Sequence, residues 1–182
     1  MRITGGVARG FPLIAPRTQR VRPTSDRVRS ALFQLLGSVV IDARVLDLYA
    51  GTGALGIEAL SRGAASVDFV ETDPRVSDIV VRNKKAAGFE ESGRLYRTKV
   101  ERALEFLTGP YQVVLLDPPY ELPGIDQTMD KLAGAGLIET GSLVAVEHSV
   151  RVALAESYGT LKRLDARRYG DTAISIYSNR DA

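Results

Sequence analysis

The chain has 182 residues, enough for one domain with a full core, and its 45% hydrophobic and 25% charged content is that of an ordinary soluble globular protein. It has no cysteine and a single histidine, His148, which excludes disulfides, zinc fingers, iron–sulfur clusters and thiol nucleophiles and leaves no basis for a histidine-based metal site. No apolar stretch approaches the ~18 residues of a membrane span, and the start "MRITGGVARG" lacks the apolar core of a signal peptide, so a cytoplasmic location is expected.

The formal net charge is only +2, but it is unevenly placed. Residues 1–30 hold seven arginines (Arg2, Arg9, Arg17, Arg20, Arg22, Arg27, Arg29) against one acid, Asp26. Such a block suggests contact with phosphates. Within it, residues 1–22 read as an N-terminal extension of two short strands, "RIT" and "FPLIAP", joined through Gly5-Gly6. A helix follows over "PTSDRVRSALFQLLG", with Ser25 or Asp26 as N-cap, apolar residues at helical spacing and Gly37 at the end.

The pattern then alternates. Strands are expected at 44–50, 66–71, 94–98, 112–117 and 142–148, with helices at 54–61, 74–87, "ERALEFL" and 125–135 between them. This rhythm implies right-handed crossovers and a parallel sheet covered on both faces. "GTLKRLDARRYG" and "DTAISIYSN" have no room for a helix between them and read as an antiparallel hairpin. The expected fold is α/β and Rossmann-like: about seven strands, mostly parallel, closed by that hairpin.

"DLYAGTGALGIEAL" leaves the first core strand and opens a helix. Gly51, Gly53 and Gly56 spell G-x-G-x-x-G, and Glu71 ends the second strand at the spacing of a ribose-binding acid. Any adenosine-bearing cofactor could use such a loop. Asp47 separates the possibilities. A carboxylate just ahead of the loop would repel a pyrophosphate, whereas it suits the ammonium of S-adenosylmethionine.

"VVLLDPPY" ends the fourth strand with Asp117, Pro118, Pro119 and Tyr120. The prolines forbid further ladder bonds and fix the backbone. A carboxylate and a proline carbonyl held in place can accept both N–H bonds of an exocyclic nucleobase amine and orient its lone pair. The tyrosine ring offers a stacking face, worth ~1–3 kcal/mol. His148 follows the fifth strand and reads as a hydrogen-bonded loop histidine rather than a catalytic one.

"DLYAGTG" followed by "DPPY" resembles the class I S-adenosylmethionine-dependent methyltransferases that act on nucleobase amines. "RITGG", "RPTSDRVRSALFQLL", "DLYAGTGALGIEALSRGA" and "LLDPPY" together resemble the RsmD family, the 16S ribosomal RNA guanine-N2 methyltransferases. The resemblance implies a methyltransferase domain over 23–182 and S-adenosylmethionine as cofactor. Asp47, Tyr49, Ala50, Gly51, Thr52 and Gly53 would cradle its methionine part. Glu71 would hold the ribose, with Thr72 and Asp73 beside the adenosine and Val100 on the adenine side. Arg22, Pro23 and Thr24 would close the pocket, and Asp117–Tyr120 would form the catalytic loop. Ribosomal RNA, within the small subunit, would be the partner, gripped by Arg2, Arg9, Arg17 and Arg20. A monomer without metal or membrane association is expected. In one respect the chain departs from the family: Lys99 stands where many relatives place an acid near the adenine amine. Two other functions compete. A DNA adenine-N6 methyltransferase would need a target-recognition segment for which the chain leaves little space. A non-catalytic RNA-binding assembly factor would not need an intact DPPY loop.

Overall fold

Short runs of valine, leucine and phenylalanine form the centre of the molecule in the computed structural model, which describes residues 1–16, 25–120 and 122–180. Five of them lie parallel: β1 (Arg44–Leu48), β2 (Ser66–Val70), β3 (Leu95–Tyr96), β4 (Tyr111–Leu116) and β5 (Ile138–Ser149). The helices are α1 (Asp26–Leu36), α2 (Ala54–Ser61), α3 (Pro74–Ala86), α4 (Val100–Phe106) and α5 (Ile125–Gly134). Three antiparallel strands finish the sheet: β6 (Ser157–Tyr158), β7 (Leu161–Tyr169) and β8 (Thr172–Asn179). The order is β3-β2-β1-β4-β5-β8-β7-β6. The fold is thus the expected Rossmann-like one, with a mostly parallel sheet and a C-terminal hairpin.

Side chains alternate across the sheet, and both faces are covered. On β4, Val113 and Leu115 point into a core shared with α1, α2 and α3 through Leu32, Phe33, Ile57 and Val80. Val114 and Leu116 point into a second core with Met129 and Leu132 of α5 and Ala103 and Leu104 of α4. This two-sided burial is why the strands read as continuous apolar runs. Gly56 of α2 exists for this packing: a Cβ there would lie 2.3 Å from the Phe69 ring on β2.

The sequence reading needs three corrections. The N-terminal segment forms no pair of strands but a single antiparallel bridge, Arg2 to Pro12. Ile3 N–H to Phe11 O and Leu13 N–H to Met1 O, both 3.0 Å, flank that bridge, and the chain between turns through Gly6 and Gly10, both at positive φ. The sheet has eight strands rather than seven, because β6 is a two-residue strand too short to show periodicity. Arg29 of the basic block is fully buried on α1, so it cannot face RNA.

Arg29 belongs to a network that binds the N-terminal segment to the core. Glu58 on α2, also fully buried, accepts from Arg29 Nε at 3.1 Å, Arg62 Nε at 2.8 Å, and the Thr4 backbone N–H and hydroxyl at 2.8 and 2.7 Å. Arg29 also pairs with Asp26 at 2.8 Å. Ser25, the N-cap of α1, accepts from Val28 N–H at 3.2 Å. Ile3 and Leu13 bury their side chains in the same core as α1 and α2.

Candidate active site

The chain runs outward from β1 to β2 and β3, then returns to place β4 on the other side of β1. Ligands of open α/β sheets bind at such a switch point, beyond the carboxyl ends of the strands. Leu48 is in register with Val70 on β2 and with Leu116 on β4. The residues that follow them, Tyr49, Glu71 and Asp117, therefore leave three neighbouring strands side by side. Sequence reasoning put the glycine loop, the ribose acid and the DPPY loop on these ends, and the sheet brings them together.

The loop from Tyr49 to Gly53 is wound tightly. Tyr49, Gly51 and Gly53 all have positive φ, at 60°, 56° and 80°. For a tyrosine this is a strained conformation that the surroundings must impose. Ala50 N–H donates to Val70 O at 2.9 Å, and the Tyr49 hydroxyl shares a hydrogen bond with Thr128 Oγ1 of α5 at 3.1 Å. Asn83 of α3 donates from Nδ2 to Thr52 O at 3.0 Å and to Ile14 O at 3.0 Å, and accepts from Ile14 N–H at 2.8 Å. One buried amide thus joins the glycine loop to the N-terminal segment.

Asp47 sits beneath this loop and is 1% exposed. Its Oδ2 accepts from Gly56 N–H at 2.9 Å, while Oδ1 is buried with no hydrogen-bond partner. Burial pushes its pKa up to about 8, against the Gly56 N–H bond and with help from the Asp117 and Glu71 carboxylates. An acid oxygen buried without a hydrogen-bond partner fits a cationic group, whose charge would favour ionisation. Glu71 accepts from Gly51 N–H at 2.9 Å through Oε2 and from Asp73 N–H at 2.9 Å through Oε1. It braces the glycine loop. Thr72 is exposed. Asp73, also exposed, caps α3 by accepting from Arg75 N–H at 2.8 Å. Val100 is buried in the first turn of α4, and Lys99 is that helix's N-cap without a side-chain capping bond.

On the β4 side, Asp117 is half-buried, Pro118 buried, Pro119 exposed and Tyr120 half-buried. The Tyr120 hydroxyl hydrogen-bonds to Thr172 Oγ1 at the start of β8. A small cavity lies behind the loop, lined by Pro118, Pro119, Tyr120, Ile125 and His148 among others. His148 is buried on β5, its Nδ1 donating to Ser149 O at 3.0 Å and its Nε2 bonded to Ser175 Oγ at 2.9 Å. Burial lowers its pKa, so the ring is neutral at physiological pH. It is a hydrogen-bonded histidine, as expected, but in a strand and against the DPPY loop. Thr172, Thr128 and Asn83 carry no sequence signal and were missed; only the strand order brings them to the site.

Arg17, Arg20, Arg22, Pro23 and Thr24 lie outside the described residues. Arg2 N–H donates to Asp26 Oδ1 at 3.4 Å at the start of α1, and Arg9 lies away from the loop. Val7 N–H donates to Ser61 O at 2.8 Å, and Ala8 N–H to Ser61 Oγ at 2.9 Å, so the turn carrying Arg9 packs on the C-terminal end of α2. That end is about 12 Å along the helix from the glycine loop, at 1.5 Å per residue.

A glycine loop after β1, acids after β1's neighbours and a DPPY loop after β4 define a class I S-adenosylmethionine-dependent methyltransferase. Comparison with known proteins agrees. The family model described as "Conserved hypothetical protein 95" matches residues 1–178. Ribosomal RNA small subunit methyltransferase D of Escherichia coli is 38% identical over 153 residues, covering 82% of this chain and 75% of that protein. A solved structure of the E. coli protein yhhF is 32% identical with a TM-score of 0.89, covering 99% of this chain and 98% of that one. An RNA methyltransferase from Salinibacter ruber, solved with S-adenosyl-L-homocysteine, shares the fold at 19% identity and a TM-score of 0.69, covering 88% of this chain and 95% of that one. The chain belongs to the conserved hypothetical protein 95 family, the family of small subunit methyltransferase D.

Proposed function

We propose that this enzyme methylates the exocyclic N2 amine of a guanine in small-subunit ribosomal RNA. The relationship to methyltransferase D supports the RNA substrate. The observation that carries the chemistry is the register of Leu48 with Leu116, which sets the exit of β1 into the glycine loop beside the exit of β4 into Asp117.

The chain's residues suit S-adenosylmethionine. The unpartnered Oδ1 of Asp47 would take the ammonium, with Tyr49, Ala50, Gly51, Thr52 and Gly53 around the methionine part. Glu71 would accept from the ribose hydroxyls, with Thr72, Asp73 and Val100 toward the adenosine. When bound, this cofactor supplies an electrophilic methyl group on a sulfonium. The chain's work is to hold the acceptor amine. Asp117 accepts one N–H and a proline carbonyl of the loop the other, which turns the nitrogen lone pair toward the methyl. Pro118 and Pro119 keep these acceptors fixed beforehand. Tyr120 presents its ring to the flipped base. The surplus proton leaves after transfer, so no strong base is needed. Arg2 and Arg9 would add RNA contacts remote from the base, and the protein would act as a cytoplasmic monomer.

The test is a methylation assay with labelled cofactor on small-subunit particles, total RNA and plasmid DNA, followed by nucleoside analysis. Label in N2-methylguanosine of small-subunit RNA is expected. Label in DNA adenine, or none, would overturn the proposal.

A further inference from the structure

We infer that the β7–β8 turn, with the first residues after β5, is the surface that grips the RNA backbone on either side of the target base. Arg151 and Arg168 make the phosphate contacts. This rests on the RNA-methylation reading above.

The surface is physically continuous with the catalytic loop. The Tyr120 hydroxyl bonds to Thr172, and Thr172 is the β8 partner of both Tyr169 on β7 and Ser149 on β5. Val150 N–H donates to Asp171 O at 3.0 Å, which fixes the residues after β5 to the turn. Arg151 comes next and Arg168 lies one residue before Tyr169. Both are exposed. The Arg151 side chain has no hydrogen bond or ion pair among the described residues, and Arg168 uses only its Nε, donating to Gly170 O at 2.9 Å. That bond anchors the guanidinium to the turn and leaves its remaining N–H groups directed at solvent.

Residues 149–152 and 166–173 hold three arginines (Arg151, Arg167, Arg168) against one carboxylate, Asp171. Arg167 is engaged by Asp165 at 3.0 Å, so the two arginines without acidic partners among the described residues are the pair named here. Tyr169 adds a half-buried ring whose base is packed into the core. A base extruded to Tyr120 turns about its own backbone, so the phosphates on either side of it must lie at the mouth of the site. Guanidinium groups beside that mouth match them in charge, and the bond to Gly170 O anchors that of Arg168. Arg9 does not fill this role, because the turn carrying it packs on the far end of α2.

The experiment compares Arg151→Ala/Arg168→Ala with wild type in methylation of small-subunit particles over a range of salt, alongside calorimetry with S-adenosylhomocysteine. The double variant should lose at least tenfold in kcat/KM, and its log–log salt dependence should flatten by about two units, one per lost phosphate contact. Cofactor affinity should stay at the wild-type value, and the Arg151→Lys/Arg168→Lys pair should restore most of the salt slope. An unchanged kcat/KM and slope would overturn the inference. So would a lower kcat/KM with an unchanged slope, which would assign the surface to a ribosomal protein. Wild-type protein that methylates no RNA would instead overturn the reading beneath it.

Discussion

The hydroxyl of Tyr120 is hydrogen-bonded to Oγ1 of Thr172, 52 residues further along the chain. The loop residue proposed to offer its ring to a base is thereby held by the strand inserted beside β5. Sequence reasoning assigned Tyr120 to stacking alone, which a phenylalanine would satisfy. The bond gives the hydroxyl a role in aiming the ring. A hydrogen bond of this kind contributes about 0.5–1.5 kcal/mol net, so Tyr120→Phe should lower kcat/KM roughly two- to tenfold. Thr172→Val should do the same, and the double variant should be no worse than either single one. Steady-state kinetics of the three variants make the cycle. Additive losses would mean that the two side chains act separately.

Asp47 makes a prediction about pH. Its carboxyl releases a proton near its ordinary value of 3.8 in the unfolded chain and at about 8 in the folded protein, where burial opposes the charge. Between those values the native state holds the extra proton, so stability without cofactor falls as pH rises. Asp47→Asn cannot ionise. It should remove that loss and melt higher than wild type at pH 9, by about 2–4 °C for each kcal/mol recovered. Cofactor binding should move the other way. Taking up an ammonium requires the ionised carboxylate, so wild-type affinity for S-adenosylhomocysteine should rise from pH 6 to pH 8, and in the variant it should be weak and flat. Thermal melts and calorimetry across pH check both arms.

Glu58 makes one about stability. Four donors converge on its two oxygens, two of them guanidinium groups, with no exposure to water. Removing one partner of a buried ion pair leaves an uncompensated charge and costs about 3–5 kcal/mol. Glu58→Gln should lose that much, because its amide nitrogen would face N–H donors where a carboxylate oxygen now accepts. Urea unfolding gives the value. The N-terminal segment should also become more accessible to protease at Thr4 and beyond, since Thr4 gives both its bonds to Glu58.

What the sequence disclosed depended on how local the cause was. α2 was legible with its bounds, Ala54–Ser61, because a glycine turn opens it and its side chains alternate with two flanking strands. The positions of Glu71 and Asp117 followed from strands that end where apolar runs end, and Asp47 stood out as an acid inside the first of them. Arg29 was misjudged because charge is visible in a sequence and its partner is not: Glu58 lies 29 residues away on another helix. Thr172 was invisible for a different reason. Which strand lies beside β5 is decided by how the last hairpin folds back, and nothing in the spacing of β7 and β8 says that β8 takes the inner place. The same insertion sets Arg168 beside the residues that follow β5, Arg151 among them, while the turn carrying Arg9 packs on α2.

The catalytic loop yields the last prediction. Asp117 leaves β4 at the position level with the exit of β1, and Pro118 and Pro119 deny the backbone any alternative path. On the proposed mechanism its carboxylate accepts a hydrogen bond from the amine, and preorganisation of that acceptor is where the rate advantage would arise. Asp117→Ala should lower kcat by ~10²–10³, the size expected for losing one fixed polar contact in the transition state. Asp117→Asn keeps one accepting oxygen in place and should retain more activity than the alanine variant. The neighbouring carboxylate at Asp117 also raises the pKa of Asp47, so both variants should bind S-adenosylhomocysteine at least as well as wild type near pH 7. Single-turnover kinetics with small-subunit particles, read beside calorimetry, separate the two effects. If Asp117→Ala transfers methyl at the wild-type rate, the loop holds the base by shape alone and Asp117 has no part in orienting the amine.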